Sequence, residues 1–129
     1  MINTAPIIIA DDSPTICKML AAALTPLGHP IIIAPDAMST VRLAMQNRPA
    51  LCILDLDMPG DADGSIVGRT LKRLQVKVLL YSSLEESELK KLAAELGCEC
   101  HCKVGTTLPM VREHVRKLIG EQSDDSPAH

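Results

Sequence analysis

The chain has no tryptophan, no phenylalanine and a single tyrosine, Tyr81. Its interior must therefore be built from Ile, Leu, Val, Met and Ala, and at 47% hydrophobic residues over 129 positions there is enough of these for a proper core. A basic cluster is also lacking and the net charge is −3, so nothing argues for direct nucleic-acid binding. No apolar run approaches the length of a membrane span, and the N-terminus lacks a charged region leading into an apolar stretch. Five cysteines make an odd count, and their scatter over expected helix and strand positions does not suggest a disulfide scaffold. A reducing, cytoplasmic setting is the default expectation. Internal repeats and low-complexity segments are absent.

Short apolar runs alternate with helix-period segments. Pro6–Ala10, Pro30–Ala34, Leu51–Leu54, Val76–Tyr81 and Cys98–Cys102 read as five strands. Leu51–Leu54 is apolar throughout, as suits a strand covered on both faces. Ser13 can cap a helix with Pro14 in its first turn, and Gly28 stops it. Asp36 can cap the second helix. Ile66, Val67, Leu71 and Leu74 mark the third. Ser83 and Glu86 form an S-x-x-E capping box for the fourth, whose Leu89, Leu92, Ala93 and Leu96 fall on one face before Gly97. The last helix is expected over about Leu108 to Ile119, with Val111, Val115, Leu118 and Ile119 inward. A domain over 1–120 and a disordered polar tail over 121–129 follow.

Five β–α units with short connections imply an α/β fold: a doubly wound, five-stranded parallel sheet between two helical layers, joined by right-handed crossovers. Such a sheet places its site outside the carboxyl ends of the strands, where the strand order reverses. The polar residues at those ends are few. Asp11 and Asp12 follow the first strand, Asp55 the third, Ser82 the fourth and Lys103 the fifth. Asp11 and Asp12 alone read as a strand end and a helix cap. Converging with Asp55, they form a carboxylate cluster whose repulsion a hard divalent cation such as Mg²⁺ relieves. Ionised Asp55 can then attack a phosphoryl group. Lys103 would neutralise charge on that group, and the Ser82 hydroxyl could donate to it.

IIIADDSP, LCILDLDMP, VLLYSS and a lysine at the end of the fifth strand occur in this order, one per strand end. Over about residues 5–120 the chain resembles the receiver domains of two-component response regulators, with their (βα)5 flavodoxin-like fold. The resemblance implies that Asp55 accepts the phosphoryl group from a sensor histidine kinase or phosphotransfer protein. Asp12 and Asp55 would hold Mg²⁺ by side chain and Asp57 by its main-chain carbonyl, with Asp11 behind them. Ser82 would be the switch hydroxyl and Lys103 the phosphoryl's partner. The output would pass to a downstream protein target or a covalently linked output domain, with a phosphorylation-dependent homodimer as a further form. The implied role is signalling and not enzymatic.

The chain departs from the family pattern in three places. Cys100 stands where an aromatic usually precedes the lysine by three residues, and Val104 follows Lys103 where proline is usual. The Lys103–Val104 bond is therefore expected to be trans, a cis form costing ~3 kcal/mol. The loop Gly60–Gly64 is one residue longer than usual. Two other readings stand beside the receiver. Asp55-Leu56-Asp57 also resembles the D-x-D motif of haloacid-dehalogenase-type phosphatases, with Asp57 as general acid, although those enzymes place it on the first strand and add a cap. A receiver-like scaffold that binds partners without phosphorylation is the other. Alternation along the fifth strand puts Cys98, Cys100 and Cys102 on one face and His101 on the other. C-x-C-H-C lacks the second ligand pair of a structural zinc site, so these thiols read as packing.

Overall fold

A computed structural model describes residues 5–60 and 65–125, with side chains through residue 120. The elements run β1 (Ile7–Ala10), α1 (Pro14–Leu24), β2 (Ile31–Ala34), α2 (Ala37–Asn47), β3 (Leu51–Leu54), α3 (Ile66–Arg73), β4 (Val78–Ser82), α4 (Glu86–Leu96), β5 (Glu99–Cys102) and α5 (Leu108–Asp125). The strands form one parallel sheet in the order β2-β1-β3-β4-β5. The expected fold class is observed.

Period-two alternation divides the core between the two faces. Ile8, Ala10, Cys52, Leu54 and Leu80 point toward α2, α3 and α4, where Ala44, Leu71, Leu89 and Leu96 meet them. Ile7, Ile9, Leu51, Ile53, Leu79 and Tyr81 point the other way, onto Leu20 and Leu24 of α1 and Val111 and Val115 of α5. The central strands are buried at every position, which is why they read as continuous apolar runs. Strand order reverses beside β1, so its carboxyl end and that of β3 open into the crevice.

Local rules set most of the boundaries. The Ser13 hydroxyl accepts the Ile16 N–H at 3.3 Å and Asp36 accepts the Ser39 N–H at 2.7 Å, so both expected caps form. After α1 a 3-10 turn, Thr25–Leu27, carries the chain to Gly28 at φ 85°, a conformation glycine adopts without strain. β4 and β5 begin later than expected. The Val76 N–H bonds back to Leu71 O and the Cys98 N–H to Ala93 O, so both amides close helix ends and cannot join the sheet.

Two expectations are corrected. Ser83 does not cap α4: Glu85 holds that position without a side-chain bond, because a turn at Ser82–Leu84 moves the helix start to Glu86. The last helix does not stop near Ile119 but runs to Asp125, so the expected disordered tail is helical over 121–125. Glu121 and Gln122 are good helix formers that extend it. Residues 126–129 of that tail, and the expected long loop from 61 to 64, lie outside the described residues. No described peptide bond is cis, as expected at Lys103–Val104.

Candidate phosphoryl and cation site

Main-chain pairing continues one residue past three strands and fixes the site. The Asp11 N–H donates to Ala34 O (3.1 Å), that of Asp55 to Ala10 O (2.9 Å), and that of Lys103 to Ser82 O (2.8 Å). Ala10 and Leu54 are in register, so Asp11 and Asp55 emerge side by side. Ser82 closes β4 opposite Cys102, which brings Lys103 to the same rim. All the residues expected at strand ends meet there.

Asp11 is buried, and both of its oxygens are engaged. Oδ1 accepts the Ser13 N–H at 2.9 Å and Oδ2 accepts from Lys103 Nζ at 2.8 Å. Asp55 is 6% exposed; Oδ1 accepts the Asp57 N–H at 3.3 Å, and Oδ2 lies 3.5 Å from Lys103 Nζ. Asp12 is exposed at the rim. One carboxylate oxygen each from Asp11, Asp12 and Asp55 falls within 4.8 Å of the others. The Asp57 side chain is exposed and outside this trio, and the structure gives the residue's main-chain N–H a partner in Asp55.

Three carboxylates face one ammonium, and burial makes the imbalance matter. Burial raises the Asp55 pKa; Lys103 opposes this and Asp11 adds to it. For Lys103, burial works against its charge, but the hydrogen bond to Asp11 and the charges of Asp55 and Asp11 outweigh it, and its pKa is raised. The ammonium is thus held charged while Asp55 resists ionising. An all-oxygen donor set with surplus negative charge fits a hard divalent cation of the Mg²⁺ type.

Ser82 is fully buried, and its Oγ accepts the Leu84 N–H at 3.2 Å, which leaves the hydroxyl proton available to donate. Lys103 Nζ also sits 5.7 Å from the centre of the Tyr81 ring, within cation–π range. Cys100 is half-buried against the α4-side core, and Val104 is 77% exposed.

Three contacts escaped the sequence reading. The Cys17 thiol donates to Asp11 O at 3.2 Å, and the Cys102 thiol to Leu84 O at 3.4 Å. The Ala37 N–H donates to Pro59 O at 3.0 Å, which anchors the Met58-Pro59 loop to the start of α2. A cysteine facing a strand-end carbonyl carries no sequence signal distinguishing it from one that only packs. A cavity of about 220 Å³ lies at the opposite end of the sheet, among Gly68, Val78 and Leu96, far from this chemistry.

Comparison with known proteins agrees with this geometry. A family model described as the response regulator receiver domain matches residues 7–101. The alkaline phosphatase synthesis transcriptional regulatory protein PhoP of Bacillus subtilis is 30% identical over 124 residues, covering 95% of this chain and 51% of that protein. The transcriptional regulatory protein KdpE of Mycobacterium tuberculosis is 28% identical over 93 residues, covering 72% and 41%. The chain thus spans about half the length, or less, of these relatives. In fold, it matches the receiver domain of a Francisella response regulator with a TM-score of 0.80 at 20% identity, covering 92% of this chain and 99% of that one.

Proposed function

This chain belongs to the response regulator receiver domain family, and from that premise we propose that it accepts a phosphoryl group on Asp55 from a phosphohistidine donor. The donor would be a sensor histidine kinase or a phosphotransfer protein. The observation that carries this reading is the buried Asp55 carboxylate, set among Asp11, Asp12 and Lys103 at the switch point of the sheet. An Asp55 oxygen would attack phosphorus, forming an O–P bond as the donor's N–P bond breaks, and the imidazole would leave with the electron pair.

The chain's own residues prepare that step. Lys103, held charged by its carboxylate neighbours, would compensate charge on the phosphoryl oxygens. The Ser82 hydroxyl would turn its free proton toward one of them. Asp12 and Asp55 would hold Mg²⁺ by side chain and Asp57 by its carbonyl, with Asp11 behind them. The cation would supply charge neutralisation and favour ionised Asp55.

Signal output needs a lever other than an aromatic at position 100. Turning Ser82 would release the Leu84 N–H, and Leu84 O is tied to the Cys102 thiol of β5. This chain of contacts leads from the phosphoryl group to the edge strand. A downstream protein, an output domain or a phosphorylation-dependent homodimer would read it there. Five free thiols fit a cytoplasmic protein; no described helix is long and apolar enough to cross a membrane. The D-x-D phosphatase reading is less supported, because the Asp57 carboxylate stands outside the cluster.

Beryllofluoride with Mg²⁺, as a phosphoryl mimic, tests the reading. Amide NMR signals of Ser82, Leu84 and Lys103 are expected to shift in the wild type and stay fixed in Asp55→Asn. Equal shifts in both proteins, or none in either, would overturn it.

A further inference from the structure

The other face of β5 carries a constellation that phosphoryl chemistry leaves unused. Glu99 and His101 alternate with the three cysteines and point toward α5, where His114 meets them. His101 Nε2 and His114 Nδ1 are 2.6 Å apart. Their rings stand edge to face, with centroids 4.7 Å apart and planes at 84°. The second nitrogen of His114, Nε2, lies 2.5 Å from Glu99 Oε1.

With both rings neutral, these contacts fix the tautomers. A carboxylate only accepts, so His114 Nε2 carries a proton, and in the neutral ring Nδ1 then holds the lone pair. That lone pair is aimed at His101. Burial, and the charge that His114 carries when protonated, hold the His101 pKa below its ordinary value. Carboxylate bonding to the far nitrogen is also what orients metal-bound histidines. An open groove lined by Met110 and Glu113 leads from solvent to the pair.

We propose that His101 Nε2 and His114 Nδ1 are the nitrogen ligands of a second metal site, taking a borderline divalent ion such as Zn²⁺ and oriented by Glu99. The proton now shared between the rings moves to His101 Nδ1, so both ligand nitrogens present lone pairs and no proton need leave the protein. Two nitrogens about 2.05 Å from a tetrahedral ion are about 3.4 Å apart. The rings must therefore separate by about 0.8 Å, a small turn of His114 within its groove. Water from the groove completes the coordination. The cysteines take no part, since they face the α4-side core. The bound ion would cross-link β5 to α5 two residues from Lys103.

The test is calorimetric titration of ZnCl₂ into the full chain under reducing conditions, with Mg²⁺ in large excess to occupy the aspartate cluster. One-to-one binding is expected. It should weaken at least tenfold in His101→Gln and in His114→Gln, and about tenfold in Glu99→Gln, which removes only the orienting charge. It should persist in Asp12→Asn and in the triple variant Cys98→Ala/Cys100→Ala/Cys102→Ala. Far-UV circular dichroism checks that each variant folds, and Glu99→Gln keeps the test open should either histidine variant fail. Absence of zinc binding would overturn the proposal and leave a hydrogen-bonded histidine pair. Loss in Asp12→Asn or in the cysteine triple variant, with binding kept in His101→Gln, would also overturn it.

Discussion

The carboxyl ends of β1 and β3 and the edge strand β5 sit in one sheet but are built to different standards. Around Asp11 and Asp55 each strand has a neighbour on both sides, and the charged groups have fixed partners. β5 has a neighbour on one side only and is at most half-buried. Its polar groups bond outward, Cys102 to the β4–α4 loop and His101 to α5. A phosphoryl site needs positions held in place before the reaction. A reporting strand needs contacts that can exchange at small cost.

The contrast predicts unequal losses from truncating the two strands. Leu54→Ala in β3 is expected to destabilise the domain by about 2–5 kcal/mol in urea unfolding, because the fully buried site cannot collapse. Cys100→Ala in β5 should cost only about 1 kcal/mol. Equal losses would remove the contrast. Lys103→Ala should slow acetyl phosphate labelling of Asp55 about a hundredfold, the scale for losing one preorganised charge partner; intact-mass time courses measure this. Ser82→Ala, which removes one donor to a charged group, should slow it about tenfold.

The smallest effect is one of pH. The Asp55 pKa is raised in the folded chain, so folded protein holds that proton more tightly than unfolded protein does. Stability therefore falls as pH rises from the ordinary carboxylate value through the raised one. Metal-free Asp55→Asn should lack this fall and melt slightly higher than wild type at pH 7. The gap should narrow when Mg²⁺ is added. Differential scanning calorimetry with and without Mg²⁺ checks both signs.

Much of this was legible in the residues. Continuous apolar runs at Ile7–Ala10 and Leu51–Leu54 specified buried parallel strands, and a buried parallel sheet placed Asp11, Asp55, Ser82 and Lys103 at one rim. Ser13 and Asp36 were readable as caps because their bonds are local. What escaped was set by geometry over several residues. Ser83 matched a capping box, but the Ser82–Leu84 turn displaced the helix beyond its reach. Val76 and Cys98 looked like strand residues because apolar side chains do not reveal that their amides close helix ends. The thiol contacts of Cys17 and Cys102, and the meeting of His101 with His114, depend on tertiary packing that spacing does not encode.

The proposed function stands or falls with Asp55 as the phosphoacceptor. Incubation with acetyl phosphate and Mg²⁺, followed by intact-mass measurement, tests it most directly. One added phosphoryl group is expected on the wild type, none on Asp55→Asn, and little on either protein when Mg²⁺ is chelated. No addition to the wild type, or the same addition to Asp55→Asn, would contradict it.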